Sequence, residues 1–323
     1  MLFGDSKKLT PFTDSRQNSE ILNCTIKPFS VHELFFFPGY LKKKINQTDL
    51  FYSPYFNIPP GITVPVYTTI HDIIFPDMPE LTSRTGLALR MWFYRRAFRF
   101  SEKIFTVSNF SKSRIEYYSN NTKPVIVTYS AIQPYLLEGQ KEKVNKKKYI
   151  LFIGNIKKHK GLWCLLDAFF QARDEGLAYR LLIIGNKDNF RSQDTESLRK
   201  LDSIDASIVE FTGSVSNKQL MELLTNAALL VQPSLYEGFG LPPLEAMICG
   251  TTPLLSDIPV FKEIYDGFPV TFFRTGDSRD LKDKLMTLLF NKKGEILVLP
   301  EHLAAKYTFK KTASVILQEL TGI

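Results

Sequence analysis

Cysteine is scarce in this chain of 323 residues: Cys24, Cys164 and Cys249 lie far apart, with no Cys-x-x-Cys spacing. That excludes a zinc knuckle or a paired redox site, and it fits a reduced, cytosolic setting. Long apolar runs are also missing, since none approaches the roughly 18 residues that cross a bilayer. The opening Met-Leu-Phe-Gly-Asp-Ser-Lys-Lys lacks an apolar core, so no signal peptide is expected. There is no Gly-x-x-x-x-Gly-Lys loop and no Gly-x-Gly-x-x-Gly turn, which removes the P-loop and dinucleotide readings. No Asp-x-Asp pair occurs, so the usual carboxylate ligands of a nucleotide-bound divalent metal are lacking.

What is present is an ordinary globular composition, 44% apolar, with a net charge of +8. The length suggests two domains. The charge suits an acidic partner, a phosphorylated substrate or anionic lipid. Nucleic acid is not expected, because no recognised binding module appears. Short apolar runs alternate with amphipathic segments, which predicts α/β architecture with parallel strands. Strands are expected at Ile21–Ile26, Asp49–Ser53, Val64–His71, Lys103–Ser108 and Val125–Tyr129, with a helix over Ser83–Phe100 and Ser108 capping another over Ser111–Tyr118. Lys141–Lys148 reads as a charged linker. Beyond it the pattern restarts, with strands at Tyr149–Gly154, Arg180–Gly185, Ile208–Gly213, Ala228–Pro233 and Thr252–Ser256. Helices are expected at Leu162–Ala172, Lys218–Asn226, Pro243–Gly250 and Phe309–Leu320.

The most telling stretch is Ser234-Leu-Tyr-Glu-Gly-Phe-Gly-Leu-Pro-Pro-Leu-Glu245. It sets Glu237 and Glu245 around a Gly-x-Gly turn that leads into a helix. Gly238 and Gly240 would let the backbone approach a ligand, and their amides would suit an anion. The alternative is a strand–turn–helix corner with two solvated acids. Upstream, Gly154-Asn-Ile-Lys-Lys-His-Lys160-Gly161 follows a strand and offers three lysines and a histidine to a diphosphate; a plain exposed lysine cluster is the other reading. His71-Asp72 closes the strongest strand of the first half. His71 can face a substrate, with Asp72 orienting it or merely capping the next turn. Leu89–Lys103 mixes aromatics with arginines, so it either packs its rings inward or lies on an anionic membrane surface.

The ordered motifs are Ile70-His71-Asp72, Thr106-Val-Ser108-Asn-Phe-Ser111, the Gly154–Gly161 loop, Phe211-Thr-Gly213-Ser-Val215-Ser216, and Glu237 followed by Glu245. With them the chain resembles, from about Asp49 to its end, the large retaining glycosyltransferase family of GT-B fold often called family 4. The resemblance implies two Rossmann-like domains facing across a cleft. Residues 1–140 would form an acceptor-side domain, 147–305 the nucleotide-sugar domain, and 306–323 a helix crossing back. The first domain would lack its usual first strand and helix, since Met1-Leu-Phe-Gly looks like the family's second strand; a second chain could complete it. In the implied roles, Lys160 neutralises the donor diphosphate. Glu237 holds the sugar beside the amides of Phe239 and Gly240, Glu245 binds the ribose, and His71 contacts the sugar. Phe211–Gly213 and Val215 lie near the base. Gly154, Asn155, Gly238 and Leu241 complete the donor site, with no metal or cofactor beyond the donor. The implied function is hexose transfer with retention to a glycan or lipid-linked acceptor in polysaccharide or glycoconjugate synthesis. A GDP-sugar is favoured over a UDP-sugar. The expected location is cytoplasmic, peripheral at the inner face of the membrane. The alternative is a non-catalytic or partner-dependent subunit, because the first domain looks short and Asn155 stands where the family usually has arginine.

Overall fold

The structure, a computed structural model, describes residues 1–10, 13, 19–27, 30–120, 123–137, 146–155, 157–185, 204–290 and 305–322. The linker residues 141–145 lie outside the described set. Two units divide the chain: Met1–Ile70, Arg84–Phe105 and Ile115–Ile126 form the first, and His71–Ser83, Thr106–Arg114 and Val127–Ile323 the second.

In the first unit, β1 (Leu2–Gly4) and β2 (Ile21–Asn23) form a parallel pair, with α1 (Ser6–Leu9) between them in sequence. Next come α2 (Val31–Phe35) and α3 (Gly39–Ile45). Leu41 and Ile45 are spaced one turn apart, and both join Phe37 in a small core with Phe3, Leu22, Phe51 and Val64. β3 (Phe51–Ser53), β4 (Val66–Thr69), β5 (Ser101–Thr106) and β6 (Val125–Val127) follow one another in a four-stranded sheet. β-Branched residues dominate β4, which is buried except at Tyr67. Its Thr68 hydroxyl meets that of Ser101 at 2.8 Å, which satisfies both buried groups. Between β4 and the long helix α5 (Arg84–Phe100) the chain makes one helical turn, α4 (Ile74–Asp77), which belongs to the second unit. α5 buries Phe93, Tyr94, Ala97 and Phe98, the side of its helical period that faces inward.

α6 (Asn109–Ser119) starts where Ser108 accepts the Ser111 amide at 3.0 Å, the cap expected from the sequence. After β6 come α7 (Pro134–Leu137), β7 (Tyr149–Ile153), α8 (Leu162–Asp174), β8 (Arg180–Ile184) and β9 (Val209–Phe211). The remaining elements are α9 (Asn217–Asn226), β10 (Leu229–Gln232), α10 (Pro242–Ile248), β11 (Pro253–Ser256), α11 (Pro259–Ile264), β12 (Thr271–Phe273), α12 (Ser278–Phe290) and α13 (Phe309–Thr321). A capping box fixes the start of α9, where Ser216 accepts from the Gln219 amide at 3.3 Å and Gln219 accepts from the Ser216 amide at 2.9 Å.

The second unit is built on a six-stranded sheet in the order β12-β11-β10-β7-β8-β9, with every pair parallel. Its central strands are apolar on both sides because both sides are covered. Ile150 and Phe152 of β7 face a core with Phe169 of α8 and Leu285 of α12, while Tyr149 and Leu151 face Leu224 of α9 and Ala246 of α10. The strand order runs outward from β7 through β8 and β9, then restarts at β10 on the other side. That reversal places a topological switch point between β7 and β10, and ligands of open parallel sheets bind outside the carboxyl ends of such strands.

Candidate active site

The two loops that diverge at the switch point carry Lys160 and Glu237. Lys160 Nζ donates to Glu237 Oε1 at 2.6 Å, and the two side chains are only 20% and 10% exposed. Glu237 Oε1 also accepts from the Ser234 hydroxyl at 2.8 Å, with the Gln232 amide nitrogen at 3.5 Å. Three donors thus converge on one carboxylate oxygen, which fixes its orientation.

Backbone contacts bind these loops together. The Leu235 amide donates to the His159 carbonyl at 2.7 Å. Gly161 has φ +68°, and a Cβ there would sit 1.9 Å from the Pro233 carbonyl oxygen. Only glycine meets both demands. Among the described residues, two buried side-chain atoms have no hydrogen-bond partner, His159 Nδ1 and Gln232 Oε1, and both flank the ion pair in sequence. His159 does not join the expected cationic patch. It is buried, and burial, reinforced by Lys160 and Lys157, lowers its pKa to about 4, so it is neutral. Lys157 and Lys158 are exposed, as is Asn155. Gly154 lies against the stem of Lys160, whose Cδ would be 3.8 Å from a Cβ at that position.

The Gly-x-Gly turn has packing reasons of its own. A Cβ on Gly238 would meet the His71 carbonyl oxygen at 2.6 Å, and one on Gly240 would meet the Phe261 ring at 2.3 Å. The Gly238 carbonyl accepts from the Ser108 hydroxyl at 2.7 Å, and the Ser111 hydroxyl lies within reach of both Gly238 O (3.3 Å) and His71 O (3.1 Å). The His71-Asp72 backbone is therefore clamped against the turn that follows Glu237. The His71 side chain is exposed. Asp72 caps the next turn, accepting the Ile74 amide at 3.2 Å. Burial pushes its carboxyl up against that hydrogen bond; Glu237 adds to the rise, while His71 and Lys160 oppose it. Asp72 thus shares the electrostatic field of the ion pair.

Phe239 is a core residue, edge-on to Tyr129 and Tyr307, and Leu241 packs against the same cluster. Glu245 lies on α10, and burial raises its pKa. Its charge is felt at the Tyr135 hydroxyl, whose pKa is raised first by burial and then by Glu245. Gly213 and Val215 follow β9, which is separated from β7 by β8. The structure thus joins Lys160, Glu237, Gly154, Gly238 and the His71 backbone, while Glu245 lies on α10 and Gly213 and Val215 lie after β9.

Sequence reading missed a second network. Arg114 grips Asp77 through Nε at 3.1 and 2.9 Å and Nη2 at 2.5 Å, and Asp77 Oδ2 accepts the Tyr236 hydroxyl at 2.9 Å. Burial and then the Asp77 charge push the Tyr236 pKa far up, so the hydroxyl keeps its proton. Tyr236 precedes Glu237, so this network anchors the residue beside the ion pair. Glu263 is another such residue. It accepts the Asn109 and Phe110 amides, both at 2.7 Å, at the start of α6. Nothing local in the sequence marks these partners: Arg114 lies 37 residues from Asp77, Tyr236 lies 159 from Asp77, and Glu263 lies 154 from Asn109.

The family model described as glycosyl transferases group 1 matches residues 137–298, half of the chain. The chain belongs to the group 1 glycosyl transferases. Among relatives of this transferase is the O-antigen chain mannosyltransferase RfbU of Salmonella typhimurium, 29% identical over 204 residues, which are 61% of this chain and 53% of that protein. O-antigen chain mannosyltransferase B of Escherichia coli is 28% identical over 228 residues, 67% of this chain and 58% of that one. The chain spans about half the length of the curated relatives it matches. In structure it is similar to Anabaena HepE, solved with UDP-glucose, at a TM-score of 0.71 and 17% identity over 100% of this chain and 99% of that one. It is also similar to the sucrose-phosphate synthase of Thermosynechococcus elongatus, at a TM-score of 0.67 and 17% identity over 87% and 75% of the two chains. The fold of this group 1 transferase is GT-B, α/β with parallel sheets.

Proposed function

We propose that this chain transfers a hexose from a nucleotide-diphosphate sugar to a glycan or lipid-linked acceptor in polysaccharide or glycoconjugate synthesis. The observation that carries the reading is the part-buried Lys160–Glu237 pair at the switch point of the parallel sheet. An ammonium there suits the diphosphate of a donor, and a carboxylate with a fixed oxygen suits sugar hydroxyls. The glycosidic bond from the anomeric carbon to the phosphate oxygen breaks, and a bond from that carbon to the acceptor oxygen forms. The acceptor's proton passes to the departing phosphate. Lys160 offsets the charge that grows on the leaving group, so the reading needs no metal and no further cofactor. Attack from the face of departure gives retention. Glu245 takes the ribose hydroxyls, and the Phe211–Val215 segment lies by the base. A mannose donor carried on GDP is favoured, because mannosyltransferases recur among the relatives and one of them is named for GDP-mannose.

Lys160→Ala and Glu237→Ala test the site directly. Each should lower transfer by about a hundredfold or more while circular dichroism stays native, and wild-type turnover in both would sink the proposal. A thermal-shift screen names the donor, because a ligand that binds only the native state raises the midpoint. GDP-mannose should raise it more than UDP-glucose does. Donor binding without transfer by the purified chain would point instead to a partner-dependent subunit.

A further inference from the structure

We infer that the outer face of α5 is a docking surface for an anionic lipid bilayer. The inference does not depend on the glycosyl-transfer reading, because it rests on a different part of the chain. α5 holds five arginines and no acidic residue. At about 100° per residue, Arg95, Arg99, Trp92, Arg96, Leu89 and Phe100 follow one another around an arc of about 140°. The opposite side carries the buried Phe93, Tyr94, Ala97 and Phe98. On the outer arc Leu89 is 52% exposed, Trp92 45% and Phe100 46%. Single exposed apolar residues need no explanation, but three on one helical stripe do.

The arginines are interleaved with these rings. The Arg96 guanidinium lies 5.8 Å from the Trp92 ring centroid and 5.0 Å from that of Phe100, and Arg99 lies 5.4 Å from Phe100. Arg96 also donates to the Ile58 carbonyl at 3.3 Å and to that of Pro59 at 3.4 Å, which fixes the face to the rest of the first unit. The result is a rigid strip, about 16 Å long from Leu89 to Phe100, with apolar bodies and cationic heads at the same level.

Charge complementarity decides the occupant. A face with only basic side chains among its rings wants a surface that supplies many anions at one depth, with apolar volume just beneath. An anionic bilayer does so: lipid phosphates meet the arginines while Trp92, Leu89 and Phe100 enter the headgroup boundary. The helix then lies in the plane of the surface and spans nothing, in keeping with the fact that no described helix is long and apolar enough to cross a membrane.

The test is sedimentation of the full chain with vesicles of mixed phosphatidylglycerol and phosphatidylcholine, against vesicles of phosphatidylcholine alone. The chain should bind the anionic vesicles at low salt, lose them at high salt and ignore the neutral ones. Arg95→Gln with Arg99→Gln should weaken partitioning roughly 30-fold. Trp92→Ser should weaken it as well, with the thermal midpoint unchanged because the side chain is half exposed. Trp163→Phe leaves Trp92 as the sole indole of the chain's two, and its emission should shift to the blue on vesicle addition. Wild-type protein that ignores anionic vesicles, or variants that bind them as tightly as wild type, would overturn the inference. So would self-association, or binding to single-stranded DNA, that Trp92→Ser abolishes while vesicles are ignored.

Discussion

Gly161 is the residue on which the candidate site turns. Its left-handed φ of +68° alone would cost a side chain about 1 kcal/mol or more. The Pro233 carbonyl oxygen, 1.9 Å from a would-be Cβ, makes the position closed to any substitution without backbone movement. Gly161→Ala should therefore destabilise the protein by about 3 kcal/mol or more and lower the midpoint by several degrees. Gly176→Ala is the control, since its positive φ of +99° has open space around it. It should show the backbone penalty alone, and equal losses in the two variants would remove the steric argument. His159 acts at the same scale but through pH. Its pKa in the fold is lowered to about 4 from an ordinary 6.5. The unfolded chain therefore takes up a proton that the folded chain refuses. That contribution to stability is present above about pH 6.5, is lost as pH falls, and levels off below about pH 4. His159→Leu should flatten the thermal midpoint between pH 6.5 and 5 relative to wild type; parallel curves would contradict the assignment.

At the scale of elements, the loop after β10 is held from behind by α4 and α6. Asp77 ends the first of these and Arg114 lies on the second, and together they take the Tyr236 hydroxyl. Tyr236→Phe leaves the Asp77–Arg114 pair intact and removes one hydrogen bond to a charged group, worth about 1.5–3 kcal/mol. Because Tyr236 adjoins Glu237 without touching the proposed donor, kcat should fall several-fold with KM little changed. A normal kcat at lowered stability would reduce the network to a structural role. The elements themselves were largely legible in the sequence. β7 was expected at Tyr149–Gly154 and occupies Tyr149–Ile153, because a strand buried on both faces reads as one apolar run. α2 and α3 were not seen, since the aromatic run Phe35–Phe37 followed by Lys42–Lys44 shows no clean helical period. Lys160 and Glu237 stand out in the sequence as candidate site residues, but their mutual contact does not. They are 77 residues apart, and only the placement of β10 beside β7 brings them together. Asp77 and Arg114 escaped for the same reason, and His159 was misread because burial cannot be seen in a run of charged neighbours.

At the scale of the molecule, the unmet polar groups among the described residues cluster where the chain reverses its strand order. Among the described residues, the two buried side-chain atoms without partners are His159 Nδ1, in the loop after β7, and Gln232 Oε1, at the end of β10. Sites that tolerate unmet polar groups are commonly functional. The loops after β7 and β10 are joined by the hydrogen bond from Leu235 to His159 and by the closure of Gly161 on Pro233. Two segments fastened in this way have coupled lengths. A single residue inserted in either would shift the register of the other and pull the ammonium from its carboxylate. In the course of descent, the spacing from each strand to its charged residue must pass between generations as one linked measure.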